Sequence, residues 1–236
     1  MDASKCLAEV ASCISNPARA AMLWSLMGGE SRPASELAML ANVSPQTASN
    51  HLKDLVGAGL LEVLPSGRNK FYRLGGPPVA TALESLMNIA QQGRSSLGIA
   101  QRNAPELVFA RTCYDHLAGE LAVAILRRFS ERQLLRQTES GFGLTSKGAA
   151  FLEDLEVNVE ALERQRRRFA FPCLDWSHRV PHLGGALGAE LLNWLIRSRA
   201  LARSRSGRAV RVTDKGQVVL ERLFGIRLSR QRTSLA

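Results

Sequence analysis

The chain is poor in cysteine and in acidic charge, and it has no long apolar run. Its four cysteines, Cys6, Cys13, Cys113 and Cys173, are too few and too scattered for a disulfide framework in 236 residues. In a reducing compartment they are expected to be thiols. No apolar run reaches the ~20 residues that span a bilayer. Met1-Asp2-Ala3-Ser4-Lys5 lacks the charged-then-apolar build of a signal peptide. A cytoplasmic location and no membrane partner are expected. A Gly-rich phosphate loop, a G-x-S-x-G elbow and an H-E-x-x-H helix are all missing. The chain is therefore not expected to be an enzyme. A fused enzyme would have Cys113 or Cys173 beside a histidine as its only candidate nucleophile.

Against 21 Asp+Glu stand 31 Lys+Arg, for a net charge of +10 and a pI near 10.3. That excess favours a polyanionic partner, most simply nucleic acid. It is unevenly spread: residues 1–100 hold 8 basic and 7 acidic residues, and residues 101–236 hold the other 23 and 14.

Residues 5–27 read as a helix, or as a pair broken at Asn16-Pro17, with Asn16 as cap. Ser35 to Ala41 reads as a short helix. Ser44 then caps a helix that runs to Val56 and ends at Gly57. Two β-tending stretches follow, Leu60–Leu64 and Phe71–Leu74, joined by a turn at Pro65-Ser66-Gly67-Arg68-Asn69. Val79–Gly98 reads as a helix with Val79, Leu83, Leu86, Met87 and Ala90 on one face. The expected class is mainly α with small β-hairpins (α+β). Residues 1–98 form one domain, 99–110 a connector and 111–236 a C-terminal region. That region repeats itself weakly. His116-Leu117-Ala118-Gly119 is echoed 66 residues later by His182-Leu183-Gly184-Gly185, and Leu144-Thr145-Ser146-Lys147-Gly148 68 residues later by Val212-Thr213-Asp214-Lys215-Gly216. Two winged-helix-like repeats, about 111–157 and 173–226, are expected to read helix, hairpin, helix. A charged helix, Glu153–Arg168, is expected between them.

The order helix, helix, turn, helix, hairpin in residues 17–74 is the plan of a winged helix. A helix that enters the major groove needs a small or polar face able to pair with base edges. Ser44, Gln46, Thr47, Ser49, Asn50, His51 and Lys53 supply that face, while Ala48, Leu52 and Leu55 pack inward. Gln46 and Asn50 suit adenine, and Thr47 a thymine methyl or a phosphate. Arg68, Asn69, Lys70 and Arg73 form a basic wing beside the backbone or minor groove.

The stretch from Glu36 through Val43-Ser44-Pro45-Gln46-Thr47-Ala48-Ser49-Asn50-His51-Leu52 to Ala58-Gly59-Leu60-Leu61, with Asn16-Pro17-Ala18-Arg19 before it, resembles the ArsR/SmtB family of bacterial repressors. The resemblance covers about residues 5–95, and residues beyond it form an added C-terminal region. It implies a homodimer built from the first helix and the Val79–Gly98 helix. It also implies binding to double-stranded DNA at an inverted-repeat operator, and release by an inducer. Common metal sites of the family are absent: Glu36–Ala41 holds no cysteine, and Val79–Gly98 holds no Asp or His.

Cys6 and Cys13 lie seven apart, on one helix face, and read as small apolar interface residues. Cys113, Asp115 and His116 precede the first repeat motif, and Cys173, Asp175, His178 and His182 precede the second. The two segments occupy equivalent places. Thiolate with imidazole is a soft-metal or zinc ligand set, and a thiol beside histidine is also reactive toward oxidants. Helix capping by Asp115 and Asp175 with buried thiols accounts for the same residues. The functional reading is a repressor answering to an inducer or redox signal. The alternative is a constitutive or architectural DNA-binding protein that also uses the Arg-rich Arg197 to Arg211 stretch.

Overall fold

The computed structural model describes residues 2–66, 69–96, 104–204 and 207–228. These form two compact units, one up to Leu83 and one from Glu84.

In the first unit, Asn16 splits two helices, α1 (Ala3–Ser15) and α2 (Pro17–Ser25). Its Oδ1 accepts from the Ala18 and Arg19 amides, which have no helical partner of their own, and Pro17 needs none. Arg19 in turn donates to the Ser12 and Cys13 carbonyls that α1 leaves open, and pairs with Asp54 at 3.1 Å. A short strand β1 (Arg32–Pro33) leads into α3 (Ala34–Leu40), and Asn42 turns left-handed before α4 (Pro45–Gly57). Strands β2 (Leu61–Ser66) and β3 (Asn69–Leu74) complete an antiparallel sheet of order β1-β3-β2. The β2–β3 ladder continues to Pro65↔Lys70 and Ser66↔Asn69. The five-residue turn expected at Pro65–Asn69 is therefore strand at residues 65, 66 and 69, and its residues 67 and 68 lie outside the described residues. Met22, Leu23, Leu37, Leu52, Leu55 and Leu74 close the core around these elements.

Helix α5 (Pro77–Ser96) carries the chain from one unit to the next. Its buried stripe is Ala80, Leu83, Glu84 and Asn88, while Leu86 is 45% and Ile89 63% exposed. The expected apolar face at Val79, Leu83, Leu86, Met87 and Ala90 is thus only partly inward. Two polar side chains take inward positions because the second unit supplies their partners.

The second unit opens with α6 (Pro105–Phe109), which lies inside the segment expected to be a connector. A hairpin of β4 (Arg111–Cys113) and β5 (His116–Ala118) precedes α7 (Glu120–Glu131), a hairpin of β6 (Leu135–Thr138) and β7 (Gly141–Leu144), and α8 (Ser146–Glu153). After α9 (Val159–Glu163) the same order returns. Strands β8 (Phe171–Leu174) and β9 (Pro181–Gly184) precede α10 (Gly185–Arg197), β10 (Leu201–Arg203) and β11 (Val210–Val212), and α11 (Asp214–Phe224). Each copy therefore carries a leading hairpin ahead of the expected helix, hairpin and helix.

The two copies match in detail. Thr145 caps α8 through the Gly148 amide, and Thr213 caps α11 through the Gly216 amide. The copies also lend each other backbone: Phe142 donates to the Ala170 carbonyl, and Val210 to the Ala110 carbonyl. Phe129, Phe151 and Phe224 meet in the shared core, with ring centroids 5.6–6.0 Å apart.

The charged helix expected over Glu153–Arg168 does not form. Glu156 adopts φ +57°, which ends α8, and Asn158 caps the short α9 by accepting from the Ala161 amide. Among the described residues no helix is long and apolar enough to cross a membrane.

Candidate functional site

Two places in the molecule carry chemistry. The first is α4. Ser44 Oγ accepts from the Thr47 amide at 3.1 Å and meets the Thr47 hydroxyl at 2.8 Å, so the first turn is capped and Thr47 is held within it. Ala48, Leu52 and Leu55 are buried, and α3 packs alongside. Gln46, Ser49, Asn50 and Lys53 are exposed, at the i, i+3, i+4, i+7 spacing of a single helical stripe. The side chains of Gln46 and Asn50 approach each other at 3.5 Å. Thr47 and His51 are half-buried at the edge of the stripe.

The expected wing is less uniform. Lys70 is exposed. Arg73 is also exposed, but both its Nε and one Nη donate to Glu62 across the ladder, at 3.0 and 2.8 Å. Arg73 therefore presents a neutralised pair instead of a free cation. Arg68 lies outside the described residues, and of Asn69 only the backbone, at the start of β3, is described.

The second place is where the leading hairpins of the two copies meet. Cys113 and His116 are register partners across β4–β5, and Cys173 and His182 are register partners across β8–β9. All four are buried, and one ligand atom from each lies within 4.8 Å of the others. The two imidazoles face each other, Nε2 to Nε2, at 3.2 Å. Behind His116 stands Asp115, its Oδ1 3.2 Å from Nδ1, and Arg167 pairs with Asp115. Behind His182 stands Asp175, its Oδ2 3.6 Å from Nδ1. Asp175 is fully buried and accepts from Arg111 at 2.9 Å, from the Gly119 amide at 2.7 Å and from Ser177. Arg111, also fully buried, lies over the Trp176 ring at 4.2 Å.

Electrostatics divide the two thiols. The hydrogen bond from Cys113 to Cys173 raises the Cys113 thiol, and burial raises it further. The same bond holds Cys173 well below the usual thiol range against its burial, with His116 and His182 adding to the effect. Burial opposes a charge on His116, but Asp115 and Cys173 override it and hold the imidazole up at about 9. Burial also works against the Asp175 carboxylate, yet Arg111 and Ser177 keep it below the ordinary range.

Of the seven residues singled out in the C-terminal half, four converge. Asp115 and Asp175 stand behind the histidines, and His178 lies outside, its Nδ1 3.0 Å from Ser177 Oγ. Asp175 does serve a helix start through Gly119, but from the opposite copy. Sequence reasoning missed Arg111, Arg167, Glu84 and Arg208. Arg111 sits in a strand whose three residues are all buried, which becomes visible only with the fold.

A helix with a polar outward stripe, braced by a second helix and followed by a β-hairpin wing that pairs with the short β1, defines a winged helix-turn-helix DNA-binding protein. Residues 14–63 match the helix-turn-helix domain family. The chain is 39% identical over 222 residues to YdfF, an uncharacterized HTH-type transcriptional regulator of Bacillus subtilis (strain 168), covering 94% of this chain and 98% of that protein. The chain belongs to the HTH-type transcriptional regulators. Among solved structures, it is similar to the homodimeric DNA-binding domain of Mb0332 from Mycobacterium bovis. That likeness has 25% identity, covers 37% of this chain and 81% of that one, and has a TM-score of 0.34. The cadmium sensor CMTR from Mycobacterium tuberculosis is 32% identical, with 34% of this chain and 81% of that one covered and a TM-score of 0.29.

Proposed function

We propose that this DNA-binding transcriptional regulator is a homodimeric repressor of an inverted-repeat operator, released by a signal received in its C-terminal unit. The observation that carries the DNA-reading half is the exposed stripe Gln46, Ser49, Asn50 and Lys53 on a capped, braced helix. Amide side chains there suit adenine edges, and Lys53 and Lys70 suit phosphates. The dimer is supported by apolar side chains left in solvent: Leu7 on α1 is 72% exposed, and Leu86 and Ile89 on α5 are exposed as well.

The receiving half is supported by contacts within the second unit. Glu84 of α5 pairs with Arg208 at 3.3 Å, both almost fully buried. The Arg208 carbonyl accepts from the Thr112 amide at 2.8 Å, next to Cys113. Asn88 of α5 donates to the Leu174 carbonyl at 3.2 Å, next to Cys173. A change at the Cys/His cluster thus bears on the helix that the proposed dimer shares. Four buried groups aimed at one another favour binding or sensing over catalysis.

The test is binding to DNA upstream of the protein's own gene, with reductant, peroxide and a panel of soft metals. Wild type is compared with Cys113→Ser/Cys173→Ser. Release under one treatment, lost in the double variant, is expected. Tight binding indifferent to every treatment contradicts a signal at the cluster, and equal binding to random DNA contradicts operator recognition.

A further inference from the structure

The two facing imidazoles at the centre of the second unit need an account. Asp115 lies at hydrogen-bond distance, 3.2 Å, from His116 Nδ1, and Asp175 stands on the Nδ1 side of His182 at 3.6 Å, so in the neutral rings the Nδ1–H tautomer is favoured and both Nε2 lone pairs are directed at the same buried point. Two lone pairs 3.2 Å apart repel unless something electrophilic lies between them. Two sulfurs complete the ring of donors. We infer that Cys113, His116, Cys173 and His182 form a tetrahedral centre for a d10 divalent ion of the zinc class, held by two thiolates and two imidazole Nε2 atoms.

Bonds of about 2.3 Å to sulfur and 2.0–2.1 Å to nitrogen give tetrahedral edges of about 3.3–3.8 Å. Donor atoms already within 4.8 Å of one another reach that arrangement with small side-chain shifts. An S2N2 set excludes magnesium and calcium, which take oxygen ligands in larger numbers. Charge also balances. A dication offsets two thiolates, Arg167 offsets Asp115 and Arg111 offsets Asp175, so nothing buried is left uncompensated. On binding, Cys113 gives up its thiol proton and His116 its Nε2 proton to solvent, and no electron changes hands. All four ligands come from the chain and all are buried, the closed arrangement of a non-catalytic site. Because each copy contributes one Cys–His register pair, the ion clasps the two leading hairpins together.

This centre is the site through which the proposed signal enters, but its test uses no DNA, so it can fail while operator binding stands. The full-length protein is purified in reductant and its metal content measured. One zinc per chain is expected. Replacement by Co2+ should give tetrahedral d–d bands and a sulfur-to-cobalt band in the near ultraviolet. Cys173→Ser and His182→Gln should each abolish that spectrum, and Cys6→Ser/Cys13→Ser should leave it intact. Should the cluster variants misfold, thiol labelling of wild type decides: two of the four thiols stay protected until a strong chelator is added. Substoichiometric metal in folded protein, a cobalt spectrum without a sulfur band, or a Cys113–Cys173 disulfide under native purification would overturn the inference.

Discussion

In the second unit, single charged residues are buried in opposite-sign pairs that offset the cost of desolvation. Arg208 and Glu84 are 5% and 2% exposed, and each is the other's compensation. Arg208→Met alone should cost about 3–5 kcal/mol, because it leaves Glu84 buried and unpaired. The double variant Glu84→Leu/Arg208→Met should recover most of that loss, read as the denaturation midpoint of the second unit. Additive losses would mean that the pair does not act as a unit. At this scale the sequence was informative where chemistry is local. Ser44 and Asn16 announce themselves as caps by type and place. Arg73 does not announce its engagement with Glu62, because that pairing depends on the β2–β3 register.

Among the elements, the copies in the second unit share a device at the start of their closing helices. A Cβ on Gly148 would fall 2.0 Å from the Leu134 carbonyl oxygen, and one on Gly216 would fall 2.0 Å from that of Ala200. Gly148→Ala and Gly216→Ala should each destabilise by about 1–3 kcal/mol, and by similar amounts, since the helix must back away from the preceding turn. Thermal unfolding of the two variants checks this; a neutral result at either position would break the equivalence. The repeated Thr-x-x-Gly pattern made these helices readable in advance. The convergence of Cys113, His116, Cys173 and His182 was readable only in part. Two residues separate the first pair and eight the second, yet both are register partners, and a loop of different length hides that equality. The failed helix at Glu153–Arg168 has the opposite cause: its charge pattern suits a helix, but the left-handed turn at Glu156 and the cap at Asn158 prevail.

For the whole molecule, net charge pointed to nucleic acid, but several of its arginines have internal partners. Arg111, Arg167, Arg197, Arg208 and Arg227 all pair with carboxylates of the second unit. The count of basic residues therefore overstates the unpaired cations, and the near-neutral first unit carries the proposed reading helix. Assembly follows the same logic at larger size. Leu86→Glu/Ile89→Glu should shift the protein toward monomer in sedimentation and weaken operator binding, since two half-sites must then be held one at a time. An unchanged dimer would move the interface elsewhere.

The most direct check of the account compares operator and random DNA at matched salt for wild type and Asn50→Ala. The account predicts a loss of about 1–3 kcal/mol on the operator with affinity for random DNA nearly unchanged. An equal loss on both would show that α4 touches the backbone without reading bases, and would contradict the assignment of its exposed stripe.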